Sequence, residues 1–127
     1  MQAIRERIPD TVTIIEYGSF MDCFRLKEVT IPDSVTVIES NAFNRCVSLP
    51  TVAIPDSVTE IDDAAFGGCT NLKDVTLSKS LVYLGSSAFF QTIIETIEIP
   101  KSLDSCGAGW SGSYTLDGVT YSNYYKG

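Results

Sequence analysis

The stretch from Ile31 to Thr76 constrains this chain more than any other feature. Set out as two lines it reads IPDSVTVIESNAFNRCVSLPTVA (31–53) and IPDSVTEIDDAAFGGCTNLKDVT (54–76), two copies of one 23-residue unit with the apolar letters in the same columns. The unit extends both ways. IPDTVTIIEYGSFMDCFRLKEVT (8–30) precedes it in register, LSKSLVYLGSSAFFQTIIETIE (77–98) follows one residue short, and a fifth copy opens with IPKSLDSCGAGW (99–110) before the pattern dissolves. Self-similarity at a fixed period of this length means a stacked-repeat architecture.

The columns explain why the coils must stack. Apolar residues recur at Val12/Val35/Val58/Leu81/Leu103, Ile15/Ile38/Ile61/Leu84, Phe20/Phe43/Phe66/Phe89, Leu26/Leu49/Leu72/Ile94 and Val29/Val52/Val75/Ile97. A single coil cannot bury that set alone, whereas neighbours laid against it turn the columns into one continuous core. Within a coil, Leu26, Val29 and Ile31 (and Leu72, Val75, Leu77) end in period-2 alternation, which predicts a short strand with one face inward. Pro32 and Pro55 then end it, since proline offers no N–H to a ladder and fixes its own φ.

The pattern IPxSVTxIxxxAFxxCxxLxxVT resembles the BspA-type leucine-rich repeat, over residues 8 to 110. The resemblance implies a repeat solenoid of right-handed coils with a short-stranded parallel sheet on one side. It also implies a role in adhesion or protein recognition on bacterial surface proteins. Departures are local: Leu77-Ser78 replaces Ile-Pro, Thr92 replaces Cys, and Cys106 stands where Ile is expected.

One domain over residues 1–127 is expected, with 1–7 a degenerate or truncated start, 8–98 four repeats, 99–110 a partial fifth and 111–127 a hairpin cap or tail. In the register of the repeat Ala3 takes the Leu slot and Glu6 the Val slot. Seven residues are too few for a dedicated polar cap, which favours a cut through a longer array. At the far end, Asp117-Gly118 is a type I′ hairpin signal. Its flanks mirror each other, Leu116 against Val119, Tyr114 against Tyr121, and Ser113 against Ser122. Alternation puts Tyr114, Leu116, Val119 and Tyr121 on one face, fit to cover the apolar end of the last coil.

Composition narrows the chemistry. The net charge of −7 argues against nucleic acid and anionic membrane as partners. No apolar run approaches the roughly 20 residues of a membrane helix, and MQAIRERIPD contains no signal-peptide core. There is no histidine, which removes Ser-His-Asp and Cys-His catalysis and the commonest metal ligand. No phosphate-loop, dinucleotide or zinc-protease motif occurs. A carboxylate pair such as Asp62 with Asp63 or Glu60 is the remaining catalytic option, and adjacent acids on a surface turn are ordinarily solvated. No enzyme, cofactor or metal is expected.

Two acidic columns, Asp10/Asp33/Asp56 and Glu16/Glu39/Asp62, cross the first three coils. Calcium is one reading of them, but it wants roughly six to eight oxygens. Turn chemistry, with Asp accepting from backbone N–H groups, is favoured. Cys23, Cys46 and Cys69 fall one period apart. In-register side chains point the same way and cannot converge on a disulfide, so free buried thiols filling a core column are expected. Tyr83 is expected to face out.

The expected function is a non-enzymatic recognition or adhesion segment of a bacterial cell-surface or secreted protein. Its partner would be a protein, of host or extracellular-matrix origin on the family resemblance, with no membrane insertion and no assigned oligomeric state. The outward strand positions Glu28, Thr30, Thr51, Ala53, Asp74, Thr76, Thr96 and Glu98 form the expected binding face. The alternatives are a structural spacer without a ligand of its own, or an intracellular scaffold if Met1 is the natural start.

Overall fold

The computed structural model describes residues 4–106, 113–116 and 119–122. Its strands in chain order are β1 (Arg5–Arg7), β2 (Ile14–Ile15), β3 (Glu28–Thr30), β4 (Val37–Ile38), β5 (Thr51–Ala53) and β6 (Glu60–Ile61), followed by β7 (Asp74–Thr76), β8 (Tyr83–Leu84), β9 (Thr96–Glu98), β10 (Ser105–Cys106), β11 (Ser113–Leu116) and β12 (Val119–Ser122). Among the described residues there is no helix. The chain is a parallel β-solenoid whose coils present three sides.

The first side holds the expected strands, β1, β3, β5, β7 and β9. Period-2 alternation holds in each: Val52 and Ile97 are buried and Val29 and Val75 half-buried, while the residues flanking each of them face water. The pairings are parallel and one period apart, Glu6 with Val29 and Val52 with Val75. No ladder joins β3 to β5 or β7 to β9, although the strands are neighbours. Pro50 accounts for the first gap. Lys27 N donates to Ile4 O (2.7 Å) and Lys73 N to Pro50 O (3.0 Å), and the residue at that place in the second coil is Pro50, which has no N–H. The second gap follows the coil that is one residue short.

The second side was not expected from the sequence. There β2, β4, β6, β8 and β10 form one unbroken five-stranded sheet in the order β10-β8-β6-β4-β2. Strands of two residues are too short to show alternation, and the first strand position varies freely through Ile14, Val37, Glu60 and Tyr83.

Consecutive turns make the third side. Two positions per coil lie in the left-handed region, Gly18/Asn41/Ala64/Ser87 and Asp22/Arg45/Gly68/Gln91, with φ between 57° and 75°. Side chains other than glycine tolerate that conformation poorly, so the neighbouring coil must hold it. It does so through hydrogen bonds. The N–H groups of Gly18, Phe20 and Asp22 donate to the carbonyls of Ser40, Ala42 and Asn44, and the same three bonds recur one and two periods later.

Between the three sides runs the core. Phe20, Phe43, Phe66 and Phe89 stack with ring centroids 5.1, 5.0 and 5.5 Å apart and planes within 11°. Leu26, Leu49, Leu72 and Ile94 are buried beside them, as are Ile15, Ile38, Ile61 and Leu84. Ala42, Ala65 and Ala88, which precede the last three phenylalanines, are fully buried as well. Cys23, Cys46 and Cys69 are free. The Cys46 and Cys69 thiols donate to the carbonyls of Phe20 (3.2 Å) and Phe43 (3.1 Å). Cys23 departs from expectation: it is only half-buried, because it belongs to the first coil.

At the far end β11 lies parallel to β9, with Tyr114 opposite Ile97, and antiparallel to β12. The β11–β12 register matches the mirror read from the sequence, Leu116 with Val119 and Ser113 with Ser122. Asp117-Gly118, and the inward direction expected for Tyr114, Leu116, Val119 and Tyr121, lie outside the described residues.

Candidate protein-binding face

All eight residues expected on the binding face are exposed on the first side of the solenoid. The register aligns them in two rows. Glu28, Thr51, Asp74 and Thr96 occupy the first strand position, and Thr30, Ala53, Thr76 and Glu98 the third. Their spacing along each row is that of adjacent strands, about 4.8 Å. Sequence reasoning missed the extension of both rows by one strand, since Arg5 pairs with Glu28 and Arg7 with Thr30. The signal was available: each stands one period before its partner. Arg5 and Glu28 form an ion pair at 3.4 Å between two well-exposed side chains, an interaction of at most about 1 kcal/mol.

Lys27, Pro50, Lys73 and Glu95 precede the strands and are exposed as well. Charge therefore varies along the stack, with Arg5, Arg7 and Lys27 at one end, the uncharged Pro50, Thr51 and Ala53 in the middle, and Glu95 and Glu98 at the other end. A hollow of ≈ 520 Å³ at the near edge is lined by Lys73, Asp74, Ile93, Glu95 and Thr96. Ile93 is 53% exposed there and is the large apolar side chain in the lining of this hollow.

Asp56 and Glu39 of the acidic columns, and Asp63 next to the second column, accept from backbone N–H groups as expected, but those of a neighbouring coil rather than of their own turn. Asp56 Oδ1 accepts from Lys79 N (2.8 Å), Glu39 Oε1 from Tyr17 N (3.0 Å), and Asp63 Oδ1 from Ser86 N (2.8 Å) and the Tyr83 hydroxyl (3.3 Å). Each of these bonds joins two neighbouring coils, so the carboxylates fasten the stack. Tyr83 is half-buried by that contact rather than fully out. Asp62 sits in the thick of these acids. Burial, then a hydrogen bond with Glu60, then the charges of Glu60, Glu39 and Asp63 push its carboxyl up to about 7. Among the described residues no group of three potential ligands is placed to hold a metal ion.

Residues 4–110 match, in six copies, the BspA type leucine rich repeat region. The chain belongs to the BspA-type leucine-rich repeat family. The match begins at Ile4, in agreement with β1 standing on the stack. A leucine-rich repeat protein from T. pallidum superposes with a TM-score of 0.75 at 25% identity, over 91% of this chain and 56% of that one. The pneumococcal vaccine antigen PcpA does so with 0.65 at 20% identity, over 98% of this chain and 47% of its own, a likeness of fold alone. The chain thus spans about half the length of these solved structures. No curated protein matches the sequence.

Proposed function

We propose that this BspA-type segment is a non-enzymatic protein-recognition module of a bacterial cell-surface protein. In this reading it binds a protein partner, of host or extracellular-matrix origin, across the first side of the solenoid. The carrying observation is the array of exposed side chains from Glu28 to Glu98 on the neighbouring strands of one side of the solenoid. Stacked repeats bind through the extended face that stacking creates. Small residues dominate the middle of the face, so few side chains could act as anchors. A single contact is accordingly weak and gains strength by repetition along an array.

The test is capture of extracellular proteins by an immobilised multi-copy array of this chain, beside the same array carrying Thr51→Arg and Asp74→Arg. Partners retained by the first and lost by the second are the expected result. Equal capture by both would move the site elsewhere, and capture by neither would leave a structural spacer as the better reading.

A further inference from the structure

We infer that the seam between β7 and β9 holds an extended segment of a partner protein, with a basic side chain at one end, apolar ones in the middle and an acidic one at the other end. This rests on reading the first side as the binding surface. That side is not one continuous sheet. β7 pairs with β5 and β9 with β11, whereas no ladder crosses between β7 and β9, although the two strands are neighbours. Val75 is half-buried on this seam, while Val52, its partner in the β5–β7 ladder, is buried.

Three hollows follow the seam in the direction of the strands. The first, of ≈ 520 Å³, lies where the strands begin, between Lys73 and Asp74 on one wall and Ile93, Glu95 and Thr96 on the other. The second, of ≈ 170 Å³, is lined by Val75, Thr76, Leu77, Lys79, Glu98 and Pro100. The third, of ≈ 770 Å³, shares Lys79, Glu98 and Pro100 with the second and ends at Lys101. Both walls are thus visited in chain order, and the hollows make one trough parallel to β7 and β9. An extended chain suits that shape, because its side chains on one face recur every second residue, about 7 Å apart, and successive hollows can select them.

The chemistry of the walls changes along the trough. At its start the carboxylates of Asp74 and Glu95 outnumber Lys73. Ile93 there offers an apolar surface on which the stem of a lysine or arginine can lie while its charged head reaches the carboxylates. In the middle, Val75, Leu77 and Pro100 suit an apolar side chain. At its end Lys79 and Lys101 outnumber Glu98 and favour a carboxylate. Among the described residues neither Asp74 nor Lys79 forms an ion pair, so both charges are open to a partner. The other unladdered seam, between β3 and β5, has Pro50, Thr51 and Ala53 on one wall, which carry no charge to choose an occupant.

Panning a displayed library of random seven-residue peptides against the immobilised full chain tests this. The enriched sequences should place apolar residues at alternate positions between a basic residue at one end and an acidic residue at the other. A synthetic peptide of enriched sequence should bind less tightly as salt is raised. It should bind Lys79→Glu at least about tenfold more weakly than the parent, and Lys27→Glu, outside the trough, as tightly as the parent. Both side chains are exposed. Panning repeated on Lys79→Glu should lose the acidic preference and keep the apolar alternation, which a merely structural role of Lys79 would not produce. No common pattern, a pattern without charged ends, or one unchanged by Lys79→Glu would each overturn the inference. Protein partners that are lost with Thr51→Arg and Asp74→Arg but kept with Lys79→Glu would overturn the seam and leave the recognition function standing.

Discussion

The first coil (8–30) and the two that follow it (31–76) are written on one template, yet they live in different environments. Phe43, Phe66, Cys46, Cys69, Val35 and Val58 are fully buried, while Phe20, Cys23 and Val12 in the same columns are only partly so. Tyr17, Met21 and Phe24 of the first coil are 63, 41 and 48% exposed. Ser19 stands where later coils need Ala42, Ala65 and Ala88. A repeat motif thus assigns a residue to a column, and the coil on either side decides how much of it leaves water. β1 covers the first coil on its strand side alone.

The sharpest way to break that comparison is to delete the same ring in both places. Phe66→Ala, with Phe43 and Phe89 stacked on its two faces, is expected to cost about 3 to 5 kcal/mol. Phe20→Ala, with a ring stacked on one face only, should cost about half as much, because less area is lost from burial and the site can collapse. Urea denaturation of both variants measures the difference. Equal costs would mean that the first coil is as well covered as the third.

The column Glu16, Glu39, Asp62, Gly85 sharpens it at the other end of the stack. A Cβ at Gly85 would run into the backbone nitrogen and Oδ1 of Asp63 and the backbone of Asp62, so the fourth coil accepts only glycine where the others carry acids. Gly85→Ala should destabilise by about 1 to 3 kcal/mol. Gly67→Ala is the milder control, since its nearest neighbour is the Asn44 side-chain amide at 3.1 Å. A Gly85→Ala variant as stable as the parent would show that the fourth coil is free to shift against the third.

How much of this was legible in the sequence depends on the length of the signal. The core columns, the three-residue strands and the outward rows repeat with fixed spacing, and all of these were readable. The hairpin register was also readable, because Asp117-Gly118 fixes a mirror that the letters obey. The second sheet was hidden, since two residues per strand give no alternation. So was the turn wall, whose left-handed positions are filled by residues as unlike as Gly18, Ala64, Arg45 and Asp22. There the conformation is held by hydrogen bonds to the next coil, not by local preference. The proposed binding face lay between these cases: alternation placed its eight residues outward, and the register that puts Glu6 in the Val slot was right, but Arg5 and Arg7 beside it were not carried into the face.

The thiols report the same contrast without a stability measurement. Burial pushes the Cys23 thiol up, and a hydrogen bond with the Cys69 thiol, followed by burial, pushes Cys46 much further. Cys46 and Cys69 should react with an alkylating reagent only through opening of the stack, whereas half-buried Cys23 should react at least about tenfold faster in the native protein. Peptide-resolved mass spectrometry at short times distinguishes them, with full labelling of all three in denaturant. Equal native rates, or a mass indicating a disulfide among the three, would contradict the structure.

The smallest effect is the dependence of stability on pH, and Asp62 sets its direction. Its carboxyl is raised to about 7 in the folded chain from an ordinary value of 3.8. The folded state therefore holds a proton that the unfolded state has lost between those two values. Stability must then fall as pH rises from about 4 to about 7, and level off above that range. The slope stays well below the one-proton limit of about 1.4 kcal/mol per pH unit, because Asp62 keeps part of its surface in water and solvent screens its neighbours. Asp62→Asn removes the titrating group, leaves a neutral side chain beside Glu60, Glu39 and Asp63, and should flatten that part of the profile. Denaturation midpoints at several pH values between 4 and 8 provide the measurement. A parent profile that rises across this range, or an Asp62→Asn profile as steep as the parent's, would mean that other carboxylates govern the stack.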